Sequence, residues 1–474
     1  LLKQDTGGFG PATRGGIFVI GAEFDMVNCN YVDNLGGGYA GLFITECVQR
    51  GQLDERFADH PCVTGVAPEA MSNVSVDRTE FLDNINGFVP GPAGSAQSSI
   101  FADDSNLRLT DCRFEISTVF PFVTTFNTDF GNSGIGGGGN VRLVAIRRCE
   151  FINTGNNGAI NFNLNFRAGA APYATDVVIE DTVIRDVNTQ SLPVIGILGG
   201  SFTMERCVLL NNQRMRMSTT SGIVRLAGGM GTAVRINDSV FIGNRHPTTI
   251  SIFPECAVVS DSTFAANVDD INDAGPFGAQ QSPSVALELS SETAVATNLI
   301  IDATDDLPAQ VTNSIVPGFA DPSRNIIGLD PLFIRSPSDG GDGWGDDPDT
   351  PDIDESLNDD FGDLRLRPGS PAIDRADASA IDPSATDLDG NPRVADDAGV
   401  PNAANITLDL GAYEFQGTSC LADVNQNGVL DPGDFTAWVA AFNAGTARAD
   451  QNRSGAVDPG DFTRWIANYN AGCP

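Results

Sequence analysis

Lysine is almost missing from this chain: of 27 basic residues only Lys3 is a lysine, and the only histidines are His60 and His246. A basic catalytic group would therefore have to be an arginine or one of those two imidazoles. No run of eighteen apolar residues occurs, whereas a bilayer core needs about twenty, so no segment reads as a membrane-spanning helix. The opening LLKQDTGGFGPATRGG has no methionine and lacks the basic, apolar and small-residue order of a signal peptide, which points to a processed or truncated product. Against the few cations stand 62 acidic residues, for a formal net charge of −35. Such a field excludes nucleic acid and anionic membrane surfaces as partners.

The composition suits a large folded protein. With 474 residues and 41% apolar content, the chain exceeds the roughly 250 to 300 residues at which single cores stop growing, so at least two units are expected. Its acidity fits either a solvated surface or a use for calcium, which binds through oxygen. Cysteines number nine, an odd count, and their spacing says more than the total.

A phrase recurs through the first three hundred residues: apolar, any, apolar, two polar positions, a small residue, any, apolar, then Asn. Full copies are VAIRRCEFIN (144–153), FTMERCVLLN (202–211) and VRINDSVFIGN (234–244). Looser copies are VSVDRTEFLDN (74–84), LRLTDCRFE (107–115), VVIEDTVIRDVN (177–188) and VVSDSTFAAN (258–267), with MVNCNYVDN (26–34) and LFITECVQ (42–49) as earlier ones. The small residues are Cys29, Cys47, Thr79, Cys112, Cys149, Thr182, Cys207, Ser239 and Ser262, at separations of 18 to 37. Alternation on both sides of the small residue, with a break of phase between, describes two short strands meeting at a bend. Pro and Gly clusters leave no room for crossover helices. A unit too small to bury its own apolar face, written nine times, predicts a parallel β-helix solenoid roughly 45 Å long. Its cysteine column then serves packing.

This phrase resembles the right-handed parallel β-helix repeat shared by pectate lyases, other polysaccharide lyases, polygalacturonases and many bacterial surface proteins. The resemblance covers about residues 16–300 and implies a fold more than a chemistry. Lyases of this kind use a basic residue with calcium, so Arg147, Arg148, Arg206, Arg235 and Arg245 are the candidates. The position before the small residue, however, reads Asp111, Arg148, Asp181, Arg206, Asp238, Asp261, which predicts a surface ion-pair ladder. Of the polygalacturonase motifs, Asn127-Thr128-Asp129 matches the first and Asp269-Asp270 the second, but neither histidine is flanked by glycines. The catalytic residues are unknown from the sequence.

Residues 339–363 hold eleven acidic residues and no basic one, a run that repels itself unless cations bridge it. Around it stand GLDPLF (328–333), DLRLRPGSPAID (363–374), DLDGNPR (387–393) and LDLGAYEF (408–415). In order, these resemble the closing segment of many secreted bacterial β-helix proteins, placed ahead of an interchangeable anchoring module. The resemblance implies export. Its expected physical task is to cover the open apolar end of the last coil.

Two twelve-residue sentences end the chain, DVNQNGVLDPGD (423–434) and DQNRSGAVDPGD (450–461). Side-chain oxygens fall at loop positions one, three and five: Asp423, Asn425 and Asn427, then Asp450, Asn452 and Ser454. Gly428 and Gly455 allow the sharp turn, Val429 and Ala456 offer carbonyls, and Asp431, Asp434, Asp458 and Asp461 complete two calcium cages. A helical stripe follows each loop: Phe435, Trp438, Val439, Phe442 and Phe462, Trp465, Ile466, Tyr469. Together the stripes predict one aromatic core. Cys420 and Cys473 bracket the pair, and an oxidising medium would favour a disulfide between them. The duplicated loop and helix, with Asp in place of Glu at the twelfth position, resemble the dockerin module, which plugs into a cohesin receptor and folds on calcium. Pro432-Gly433 and Pro459-Gly460 depart from the helix starts that commonly contact that receptor.

The sequence thus predicts an all-β, right-handed parallel β-helix over 1–300, a closing segment over 301–416 and a small α-helical, dockerin-like module over 417–474. The expected protein is secreted to the extracellular space or cell surface, with Ca2+ as cofactor. Its expected partners are a cohesin-like or other surface receptor and a polysaccharide. The alternatives are a polysaccharide lyase or glycoside hydrolase, and a purely structural or adhesive protein.

Overall fold

A computed structural model describes residues 17–20, 23–32, 35–36, 42–45, 72–82, 85–86, 98–103, 105–115, 133–138, 143–154, 159–163, 176–189, 193–214, 222–227, 233–254, 256–269, 282–304, 306–318, 321–345, 355–377, 385–395, 407–416, 421–425, 429–449, 451 and 457–472. Most strands fall in three parallel sheets of nine, ten and eleven strands, visited in turn by the chain. One circuit shows the plan: Ile195–Leu198 lies in sheet one, Ser201–Glu205 in sheet two and Val208–Leu210 in sheet three.

Period-two alternation sets the register, because a slip of one residue would turn every apolar side chain outward. In sheet two, Met26, Val76, Leu109, Ile146, Ile179, Met204, Ile236, Val259, Ala296 and Val311 follow one another in register, all buried. In sheet three, Phe81, Phe114 and Phe151 stack with centroids 4.7 Å apart, the repeat of the parallel ladder itself.

The bend between sheets two and three explains the small residue. The position before it is left-handed in coil after coil: φ is 52° at Asn28, 46° at Arg78, 54° at Asp111, and 50° at Arg148, Asp181, Arg206, Asp238 and Asp261. Asn and Asp enter that region most readily among side chains with a Cβ. The next residue is carried inward, and its N–H needs an acceptor. A hydroxyl on the following coil supplies it, as when Cys149 N donates to Thr182 Oγ1 (3.3 Å), Cys207 N to Ser239 Oγ (3.1 Å) and Ser239 N to Ser262 Oγ (3.2 Å). Buried Cys112 and Cys207 pack in the same column as free thiols.

An Asn five places after the small residue forms a second buried ladder through Asn212, Asn244 and Asn267, whereas the closing Asn153 and Asn211 are left-handed, at φ 47° and 49°. Asn244 Nδ2 donates to Leu209 O (3.0 Å) and Asn267 Oδ1 (2.9 Å), while Asn244 Oδ1 accepts from Asn212 N (3.1 Å).

One expectation is corrected and another extended. LFITECVQ is no copy of the phrase: Leu42–Thr45 lies in sheet one, paired with Ile17–Ile20, and Cys47 lies outside the described residues. A four-residue apolar run fits any strand of a coil, so alternation alone could not assign it. The closing segment reaches further than the end of the coils: Val311 and Val316 extend the main core, with Leu307 and Ile327 packed against it, and later residues lie along a flank. On the outward side of sheet three, Val240, Ile242, Ala265, Ile300 and Ile315 form a second core with Phe333, Leu364, Leu366, Ile373, Leu408 and Leu410. The segment therefore clamps the flank of the coils. Earlier in sheet three that outward side carries ions instead, with Arg113 bridging Glu115 and Glu150 at 2.7 Å.

Two helices of thirteen residues, α1 (Pro432–Ala444) and α2 (Pro459–Ala471), follow the closing segment. No helix among the described residues is long and apolar enough to cross a membrane.

Candidate functional site

The repeated sentences give the two helices one and the same start. Proline occupies the first helical turn, where its missing N–H leaves no gap. Asp431 and Asp458 are N-caps with nearly equal backbone angles, φ −141° and −139°. Each closes a reciprocal capping box. Gly433 N donates to Asp431 Oδ1 at 2.6 Å and Asp431 N to Asp434 Oδ2 at 2.9 Å. The second copy repeats this at 2.7 and 2.8 Å with Gly460, Asp458 and Asp461.

Asp434 and Asp461 are fully buried. The other oxygen of Asp434, Oδ1, accepts from Asn425 N at 3.3 Å, so loop positions three and twelve meet. Position nine joins them: a Cβ on Gly433 would stand 2.7 Å from Asp431 Oδ1 and 3.1 Å from Asn425 Nδ2. Thus Asn425, Asp431 and Asp434 converge, while Asp423 is buried nearby in sequence and Val429 is exposed. Among the described residues no three His, Cys, Asp or Glu side chains form a metal-ligating cluster. Asn427, Asp450, Asn452, Ser454, Ala456, Cys420 and Cys473 lie outside the described residues. The donor set that remains is oxygen, suited to a hard cation.

The predicted aromatic core is narrower than the stripes. Trp438 and Trp465 are buried with Ala422 and Val424, and Phe442 and Tyr469 pack against them. Their indoles are tied to the backbone, Trp438 Nε1 to Ala449 O at 3.3 Å and Trp465 Nε1 to Ala422 O at 3.1 Å. Phe435, Val439, Phe462 and Ile466 remain 37–41% exposed. Two short helices bury one seam, and a stripe of four apolar residues per helix is wider than that seam.

On the coils the predicted ladder is present: Arg147 pairs with Glu180, Arg148 with Asp111 and Arg206 with Asp181, each at 2.7 Å. These arginines are engaged in ion pairs along the coils. His246 is buried at a corner, its Nδ1 2.9 Å from Thr248 O. Asp269 is buried, while Asp270, His60 and Asn127-Thr128-Asp129 lie outside the described residues.

A group that the repeat did not reveal stands on the outward side of sheet one. Arg225, Ser251 and Glu288 occupy one register column on successive strands. Ser251 Oγ donates to Glu288 Oε2 at 2.8 Å and accepts from Gly222 N at 3.1 Å. The Arg225 guanidinium lies 5.7 Å from the Phe253 ring centroid, and its Nε is buried without a hydrogen-bond partner. First-sheet strands sit amid Gly-rich, uneven spacers, so sequence alignment of coils could not bring these residues into register.

The acidic run is anchored at both described ends. Trp344 is buried, stacks on Phe361 at 5.1 Å and lies against Gly243 of a coil corner. Gly345 N donates to Asp359 Oδ2 at 2.8 Å, and burial first, then Asp342 and Asp339, push the Asp359 carboxyl up to about 6.

Compared with known proteins, the chain matches no family model and no curated relative.

Proposed function

We propose that this is an exported parallel β-helix protein of the pectate-lyase-like kind, held to a cell-surface or extracellular scaffold by a calcium-folded, dockerin-like module over residues 417–474. One observation carries the reading: the fully buried carboxylates of Asp434 and Asp461 stand at equal places in duplicated oxygen-rich loops, each fixed by a capping box. Burying a carboxylate is costly unless hydrogen bonds and a cation offset it. Asp423, Asn425, Asn427, the Val429 carbonyl, Asp431 and Asp434 would hold one calcium. Asp450, Asn452, Ser454, the Ala456 carbonyl, Asp458 and Asp461 would hold another. The ion would offset the clustered carboxylates of each loop, so that the seam of Trp438 and Trp465 can close. A cohesin-like or other surface receptor is the expected partner.

The test follows tryptophan fluorescence and far-ultraviolet dichroism of the full chain on heating. Chelation is expected to lower the transition reported by Trp438 and Trp465 while leaving the β signal largely intact. An identical melt with chelator and with calcium would remove the metal from the account.

A glycan along the outward side of sheet one is the second reading, supported by Arg225, Ser251, Glu288 and Phe253 in one place. A cation and an aromatic ring suit an acidic sugar, as substrate or as ligand. Incubation with acidic and neutral polysaccharides should yield unsaturated ends, new reducing ends or retention on an immobilised glycan. Failure of all of them would leave a structural or adhesive coil.

A further inference from the structure

The corner ladder changes its rule in the last coils. Earlier, a left-handed acid is answered by a left-handed arginine one coil on, Asp111 by Arg148 and Asp181 by Arg206. The next two corners, Asp238 and Asp261, are both acids and both buried. Their arginine comes from the closing segment. Arg393, 1% exposed, sets Nε 3.2 Å from Asp238 Oδ1 and Nη2 3.4 Å from Asp261 Oδ1. Its Nη2 also donates to the carbonyls of Gly411 and Asp409.

A second shell of buried acids surrounds that guanidinium. Glu414 lies 4.0 Å from Arg393 Nη1 and accepts from Ala395 N (3.1 Å) and Asp409 N (3.0 Å). Asp409 accepts from Asp374 N (2.8 Å) and Phe415 N (2.6 Å). Asp387 accepts from Asn391 N (2.7 Å) and Glu414 N (3.0 Å). Asp374, Asp387 and Asp409 are fully buried. From the coil side, Glu205 and Asn237 face Asp238, and Asn298 Nδ2 donates to Asp261 Oδ1 at 2.9 Å.

We propose that the closing segment is a proton-linked clamp: the Asp238–Asp261 corner pair is a socket for Arg393, and loss of protons from the buried acids loosens the segment from the outward side of sheet three. One guanidinium cannot balance Asp238, Asp409 and Glu414 if all three are ionised in a dry site. Burial, reinforced by neighbouring acids, pushes Asp238 up to about 6, Asp409 to about 7 and Glu414 to about 9, with Arg393 drawing each partly back. For Arg393 itself burial acts downward, but Asp238, Asp261, Glu414 and Asp409 carry it above its ordinary value. The seated clamp therefore holds protons that the unfolded chain would release near pH 4. When the native state binds more protons, stability falls as pH rises. Seating is tightest below about 4, the unfolded value, and weakens as pH climbs through about 6, about 7 and about 9. An open clamp bares Val240, Ile242, Ala265, Ile300 and Ile315.

Hydrogen exchange of the full chain at pH 6 and pH 9, corrected for intrinsic rates, tests this. The amides of Asp374, Ala395, Asp409, Glu414 and Phe415 should lose protection by about tenfold or more at pH 9, one pKa unit being a factor of ten. The amides of Ile236 and Phe241 in the coils should hold. Arg393→Ala should lose the clamp's protection already at pH 6. Asp261→Asn keeps an Oδ1 acceptor for Asn298 and removes one charge, so its loss of protection should move to higher pH. Parallel change in coil and clamp amides, no change in either, or an Asp261→Asn curve superposing on the parent would overturn the proposal, whether or not Arg393→Ala folds.

Discussion

At a single corner, two residues decide whether a coil can stack on its neighbour. Arg148 sits at φ 50°, a region that disfavours long side chains, and its ion pair with Asp111 is more than half exposed on the arginine side. Exposed pairs contribute little, so replacing Arg148 by Asn, which tolerates the conformation, should leave stability nearly unchanged. Asn244 is the contrasting case. Its side chain serves Leu209 O, Asn267 Oδ1 and Asn212 N inside the coil, and Leu there would leave buried groups unsatisfied at about 1–3 kcal/mol each. Urea unfolding should show Asn244→Leu losing roughly 3 kcal/mol or more. An equal effect of the two substitutions would remove the corner argument. The Asn ladder runs over Asn212, Asn244 and Asn267 with Thr154 and Val187 in its place on earlier coils, whereas the small column was legible in the sequence because coil after coil repeats it. The left-handed angle was not, since Arg and Asp share that position and only the backbone explains why.

Elements were legible in proportion to their periodicity. Strands of sheets two and three announce themselves by alternation around Cys112, Cys149 or Cys207, and the structure places them in register. Sheet one was hidden, because Ser133–Gly138 carries a run of glycines and Leu42–Thr45 is a bare apolar tetrad. That loss concealed Arg225, Ser251 and Glu288, whose neighbourhood exists only once the strands are stacked. The helices were plain from the i, i+3, i+4, i+7 pattern, and their aromatic rings do meet: Phe435 lies 5.3 Å from Trp465 and Phe462 5.3 Å from Trp438, although both phenylalanines stay part-exposed. The closing motifs were recognisable as strings but mute about contacts. Arg393 comes from one string and Asp409 and Glu414 from another, and only folding gathers them beside Asp238 and Asp261.

At the scale of the whole molecule, a charge of −35 must be carried without tearing the chain apart. On the coils, exposed ladders pair several acids with arginines, as Asp111 with Arg148 and Glu180 with Arg147. The closing segment carries its own by protonation around one guanidinium. For the terminal loops the proposed partner is a divalent cation held by side-chain oxygens. Calcium bound per chain, counted by calorimetric titration of the full protein after chelator treatment, is the direct measure. Titration in about 0.15 M salt suppresses diffuse binding to the acidic surface. The account predicts two sites per chain, one in Asp434→Ala, one in Asp461→Ala and none when both are replaced. No saturable calcium in the parent, or the same count in all four proteins, would contradict it.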